Sequence, residues 1–198
     1  MLFFVVRIIE LECTITMTTY LSILRGINVS GQKMIKMDAL RKMFEDLGYT
    51  NVQTYIQSGN VIFQTYGAEP HALEKTITEG IHNYFSLDVP VMVLTAKELL
   101  QIVDNNPFLN DGSRDIDHLH ITMLHERPEA SRVELLRQTS FPGEEFILIE
   151  GAIYLHCPNG YGRAKLTNGF LEKKLNVTAT TRNWKTTSEL LRMIKEVA

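Results

Sequence analysis

YIQSGNVIF, residues 55–63, and ILIEGAIYL, residues 147–155, each set two apolar, β-prone runs around a glycine, Gly59 in the first and Gly151 in the second. Apolar runs on either side of a turn residue read as a β-hairpin, with Ser58-Gly59 as the tight turn of the first. Laid over one another on their glycines, the segments indicate a unit that occurs twice in the chain, an internal duplication.

Working outward from the first hairpin, residues 20–25 alternate as a strand, with Leu21 and Ile23 on one side. Residues 26–31 are turn-rich. Met37, Leu40, Phe44 and Leu47 then recur at helical spacing before Gly48, a good helix stop. Strands are expected at 52–57 and 60–64, a helix with Leu73, Ile77, Ile81 and Phe85 on one face, and a strand at 89–94. The order β-α-β-β-α-β is the split βαβ, or ferredoxin-like, arrangement. Thr95 and Glu98 form a capping box that opens a connecting helix, and Asn106-Pro107 ends it.

Around the second hairpin the pattern repeats. Residues 118–124 alternate, with Leu119, Ile121 and Met123 inward, and 128–138 read as a helix opened by Pro128. A glycine-rich loop at 158–165 and short helix at 167–175 follow, then a terminal helix at 186–197 capped by Thr186 and Glu189, with no evident last strand. The expected fold class is therefore α+β: duplicated ferredoxin-like halves, antiparallel sheets with helices packed on one face. The expected division is an extension at 1–16, a first half at 17–95, a connector at 96–117 and a second, modified half at 118–198.

The chain has 198 residues, 44% hydrophobic and 22% charged, which excludes collagen, coiled coil and disordered tails. A chain of this length buries roughly 70% of its unfolded surface and holds a core without staples. Cys13 and Cys157 are far apart, with no CxxC, which argues against a disulfide framework or a cysteine-based zinc site. A soluble, cytoplasmic protein of a reducing compartment is expected. Residues 1–16 contain the apolar run 2–6, interrupted afterwards by Arg7, Glu10 and Glu12. They read as neither signal peptide nor membrane span, and Met17 reads as a natural second start. The rival reading of that stretch is an extra edge strand.

The net charge of −3 is unevenly spread: residues 25–42 carry net +4, residues 158–198 net +5 and residues 43–157 net −11. This suggests a local basic surface on an acidic body, and argues against extensive coating of duplex nucleic acid.

Four segments carry candidate chemistry. In a split βαβ fold the loop after strand 1 and the turn between strands 2 and 3 lie at one end of the sheet. Arg25, Asn28 and Lys33 are thereby brought near Gln57, Ser58 and Asn60, a set suited to a carboxylate or phosphate beside a helix N-terminus. The alternative is that the asparagines satisfy turn backbone and Arg25 pairs with an acid. Gly160 and Gly162 precede Arg163 and Lys165, an anion-binding nest or a flexible loop. Arg182 and Asn183 stand beside Trp184, the single tryptophan, which reads as a core plug in preference to a stacking platform. His118 and His120, on one face of a strand with Asp115 and Asp117 nearby, have metal-ligand types but no third ligand at a fixed offset; an exposed strand face is expected and no metal is assigned. GxSxG, HExxH and RNA-recognition aromatics are missing, and Cys157 reads as a small buried apolar residue.

LRGINVSGQKMIKMDALRKMFEDLGYTNVQTYIQSGNVIF and the tail KLTNGFLEKKLNVTATTRNWKT together resemble the bacterial family called domain of unknown function 1697. The resemblance covers residues 19–198 and leaves 1–16 outside. It implies an α+β fold of two ferredoxin-like halves and supplies no reaction and no cofactor. Three readings follow. The first is a binding module for a small anionic ligand, with nucleic acid as a variant and no membrane partner. The second is an enzyme on a small anionic substrate. The third is a structural or interaction protein whose polar motifs staple the halves. The first two place Arg25, Asn60 and Arg182 in one solvent-open pocket; the third buries them in bonds across the seam.

Overall fold

A computed structural model describes residues 16–110 and 112–197. The extension reading at 1–15 lies outside the described residues. The first half runs β1 (Met17–Leu24), α1 (Met37–Asp46), β2 (Thr50–Tyr55), β3 (Asn60–Tyr66), α2 (Pro70–Phe85), β4 (Val91–Thr95) and α3 (Ala96–Asp104). The second runs β5 (Leu119–Leu124), α4 (Ala130–Arg137), β6 (Glu145–Ile149), β7 (Ala152–His156), α5 (Asn168–Leu175), β8 (Ala179–Asn183) and α6 (Trp184–Val197). Each half forms one four-stranded antiparallel sheet, ordered β2-β3-β1-β4 and β6-β7-β5-β8. The two orders are the same split βαβ arrangement.

The registers match strand for strand. Ile23 faces Asn60 as Met123 faces Ala152, and Leu21 faces Leu94 as Ile121 faces Arg182. Leu24 N–H donates to Gly59 O at 2.8 Å, and Leu124 N–H to Gly151 O at the same distance.

Both faces of each sheet are covered, which is why β1 is buried on both sides from Thr19 to Leu24. The outer face of the first sheet, with Tyr20, Leu24, Val61 and Phe63, packs under α1 and α2. The outer face of the second, with Ile153 and Leu155, packs under α4 and α5. The inner faces share one central core with α3 and α6: Leu21, Ile23, Ile62 and Met92 from the first sheet, Ile121, Met123 and Tyr154 from the second, and Trp184, Leu190 and Ile194 from α6. Each fully buried Leu or Ile here contributes about 1.5–3 kcal/mol relative to exposure, so the halves are joined by a core and not by a linker alone.

Local signals account for several boundaries. Thr95 and Glu98 form the expected capping box of α3. Thr167 caps α5 by accepting from Phe170 N–H, and Asn176 ends it in the left-handed region. Four expectations need correction. A last strand does exist: β8, ATTRN, pairs with β5, and its inward position is Arg182 where the first half has Leu94, so apolar alternation is missing. The cap of α6 is Asn183, whose side chain accepts from Thr186 N–H at 2.7 Å, while Thr186 itself is buried. The first hairpin turns over four residues, 56–59, because β2 stops at Tyr55; the second turns over Glu150-Gly151. His118 lies in a 3-10 turn ahead of β5, so it shares no strand face with His120.

Candidate functional site

The loop after β1 folds back on itself. Asn28, at φ 55°, donates to Ile35 O at 2.9 Å and to Gln57 O at 2.8 Å, and accepts from Ile35 N–H at 2.8 Å. Its side chain thus ties loop to hairpin, as asparagine in a left-handed turn can. Ile27 and Ile35, both 2% exposed, fill the space between α1 and the hairpin. Lys33 Nζ reaches Asp88 O.

The polar residues of this end face the second half. Arg182, on the inner face of β8, is half-buried. Its Nε donates to Asn60 Oδ1 at 2.7 Å, and Nη2 to Leu24 O at 2.8 Å and Ser58 O at 3.0 Å. Nη1 donates to Thr181 O at 3.1 Å. Asn60 is fully buried and donates to Tyr55 O and Ser58 Oγ, so its amide is held in the one orientation that offers oxygen to the guanidinium. Burial lowers the Arg182 guanidinium to about 10, which leaves it charged at neutral pH. Among the described residues no carboxylate bonds to it; carbonyl dipoles carry the compensation. Arg25 forms a two-pronged pair with Glu172 of α5, whose Oε1 also accepts Ala179 N–H.

Of the ten candidate residues, Arg25, Ser58, Asn60 and Arg182 therefore bond across the seam, while Asn28 and Gln57 are joined to each other within the first half. Lys33 lies on the outer side of the loop, and Asn183 caps α6. Arg163 and Lys165 are exposed on a separate turn, where Lys165 N–H donates to the Glu144 carboxylate. Glu172 was legible as the single acid between residues 158 and 188.

A second ionic contact crosses the seam at the equivalent place. His125 stands where Arg25 stands: its N–H donates to Thr178 O as Arg25 N–H donates to Pro90 O. Its Nε2 lies 3.1 Å from Glu74 Oε1 of α2 and 3.1 Å from Val91 O. Glu74 also accepts Val93 N–H at 2.9 Å and meets His71 Nδ1 at 2.8 Å. The Glu74 hydrogen bond raises His125 above its ordinary 6.5, against burial. Burial pushes Glu74 up, but His125, the Val93 amide and His71 together hold it below its ordinary 4.5. The other charge acting on His125 is Glu126.

The His125 contribution to stability is fully present below pH 6.5 and lost as pH rises through the raised folded value; that of Glu74 is present above 4.5 and lost as pH falls through its lowered one. Wild type should therefore lose stability relative to His125→Gln on going from pH 6 to 8, the opposing contribution of His120, whose pKa burial lowers, being common to both. An unchanged slope in the variant, measured by urea melts, would place the titrating group elsewhere.

The other sequence candidates are accounted for structurally. His120 stacks on Tyr161 with ring centroids 4.6 Å apart, and burial lowers its pKa. Among the described residues no group of three His, Cys, Asp or Glu side chains is placed to hold a metal. Cys157 is buried, and burial pushes its thiol up to about 11, far from thiolate chemistry at neutral pH. Trp184 belongs to the central core.

Sequence reading missed one feature. A cleft of about 760 Å³ opens between the turn after β5, α4 and the second hairpin, lined among others by Leu124, Arg127, Val133, Arg137 and Leu148. Its origin is a loop-length difference. Twelve residues connect β1 to α1 and bury Ile27 and Ile35; five connect β5 to α4. A Cβ on Gly59 would lie 2.6 Å from Ile27 Cδ1, whereas a Cβ on Gly151 meets nothing within 4 Å. The space plugged in the first half is open in the second.

Among the described residues no helix is long and apolar enough to cross a membrane. No curated protein matches the sequence. Among solved structures, the conserved bacterial protein SP0830 from Streptococcus pneumoniae superposes with a TM-score of 0.68 at 22% identity, over 90% of this chain and 99% of that one, a likeness of fold. A family model described as "Protein of unknown function (DUF1697)" matches residues 17–154, which include RGIN and QSGN and stop short of TTRNW. Its span is most of the chain, and this protein belongs to that family.

Proposed function

We propose that this chain is a binding protein for a small anionic ligand with an apolar body, that the ligand enters the cleft beside α4, and that RGIN, QSGN and TTRNW serve as the clasp between the halves. The observation that carries this reading is the pairing of arginines with an apolar floor. Arg127 makes no ion pair among the described residues, and Arg137 has its nearest carboxylate oxygen, on Glu134, at 3.9 Å. Leu124, Val133 and Leu148 line the same cleft. At the seam, by contrast, both guanidinium groups already have partners. Guanidinium forks suit carboxylate and phosphate oxygens. Glu126 and Glu150 on the rim weigh against nucleic acid, whose binding favours an unbroken basic track.

The experiment is a thermal-shift panel of phosphate monoesters and carboxylates carrying an apolar group. A ligand at a hundred times its dissociation constant stabilises by about 2.7 kcal/mol. The expected result is a saturable rise in Tm that Arg127→Ala/Arg137→Ala abolishes, with the unliganded variant within about 0.5 kcal/mol of wild type because both side chains are exposed. A panel in which no compound moves Tm, or in which the double variant responds like wild type, would remove this reading.

A further inference from the structure

The matched registers identify what Arg182 replaces. Leu94 of β4 occupies in the first half the inward position that Arg182 occupies in the second, each opposite the same place on the neighbouring strand. The surroundings correspond as well. Arg182 reaches across to Leu24 O, to Ser58 O just before Gly59, and to the Asn60 side chain. Leu94 looks across to Leu124, to Glu150 just before Gly151, and to the start of β7, where Ala152 replaces Asn60. Between them lies a recess of about 150 Å³, adjoining the larger cleft at Leu124, Glu150 and Gly151. One half thus carries its own guanidinium, and the other presents the matching residues Leu124 and Glu150 around a recess, without the arginine side chain and without the Asn60 oxygen.

We infer that this recess is a binding site for a guanidinium group, seated on the Leu124 and Glu150 side of the recess as Arg182 is seated on Leu24 and Ser58. Its volume of about 150 Å³ leaves room for a guanidinium head on a short stem. The lining is of the right sign. Glu150 is on the rim, and its charge, after burial, helps push the Tyr154 phenol to about 12. Glu98 bonds Thr95 through Oε2 and keeps Oε1 without a hydrogen bond among the described residues. Leu94 and Ile149 supply the apolar wall that a guanidinium face or alkyl stem packs against. Planar, five-donor guanidinium fits a fork of carbonyls better than a compact ammonium does. This inference is separate from the anion reading, since its probe carries no anionic group.

The test is an NMR titration of the full chain with methylguanidinium, and with methylammonium as the comparison. Methylguanidinium is expected to shift the amides of Leu124, Glu150 and Gly151 saturably, and methylammonium to bind at least threefold more weakly. Leu94→Arg supplies the group in cis and should weaken methylguanidinium at least tenfold by effective concentration. If that variant fails to fold, Glu150→Gln serves in its place, with a roughly fivefold loss expected. No shift in wild type, shifts confined to other residues, or shifts that survive both substitutions overturn the assignment.

Discussion

Replacing Arg182 by methionine should lower stability by about 3–5 kcal/mol, near the top of the range for a single substitution. The half-buried side chain bonds to no carboxylate among the described residues and offers donors to three acceptors across the seam, Asn60 Oδ1, Leu24 O and Ser58 O. Two effects compete when it is removed. Desolvation of the guanidinium is relieved, a gain of several kcal/mol. Against it, each buried acceptor left unpaired costs about 1–3 kcal/mol. The acceptors prevail because Asn60 is locked by its bonds to Tyr55 O and Ser58 Oγ and cannot turn its oxygen elsewhere. At about 2–4 °C per kcal/mol for a chain of this size, Tm should fall by roughly 10 °C. Arg182→Lys should recover only part of this, since one ammonium cannot reproduce the guanidinium fork. Asn60→Ala combined with Arg182→Met should be less than additive by about 1 kcal/mol or more. A methionine variant within 1 kcal/mol of wild type in urea melts would show that the clasp is incidental to stability.

Gly59→Ala and Gly151→Ala are expected to differ, although the glycines occupy matching turns. Both have positive φ, 74° and 88°, so each alanine carries a left-handed backbone cost of about 1–2 kcal/mol. At Gly59 the new methyl would also lie 2.6 Å from Ile27 Cδ1 and 2.8 Å from Leu24 Cβ. Leu24 Cβ is anchored to a central strand and cannot give way, which adds about 1–3 kcal/mol of overpacking. The total at Gly59 is about 2–5 kcal/mol, against about 1–2 kcal/mol at Gly151, where nothing lies within 4 Å. Equal losses would mean that Ile27 is not what separates the plugged first half from the open second.

The strand and helix order was legible because β1, β3, β5 and β7, covered on both faces, are short apolar runs, and because Thr95, Gly48 and the hairpin glycines mark ends chemically. β8 escaped notice for the opposite reason: its inward side chain is an arginine, satisfied across the seam by Leu24 O, Ser58 O and Asn60 Oδ1, all remote in the chain. The candidate site was half legible. Spacing along one βαββ unit brings Asn28 to Gln57, a local consequence of chain direction. Nothing local brings Arg182 to Asn60 or Arg25 to Glu172.

The amino-acid order alone is enough to specify one βαββαβ unit and a second that lacks only its last strand, since periodicity and turn chemistry act over a few residues at a time. Whether RGIN and TTRNW would face solvent or each other, and that a five-residue turn would leave a cleft where a twelve-residue loop leaves none, emerged only when the units docked. Docking places carbonyls, guanidiniums and empty volume by contacts between segments remote in the chain, and no short-range pattern encodes those.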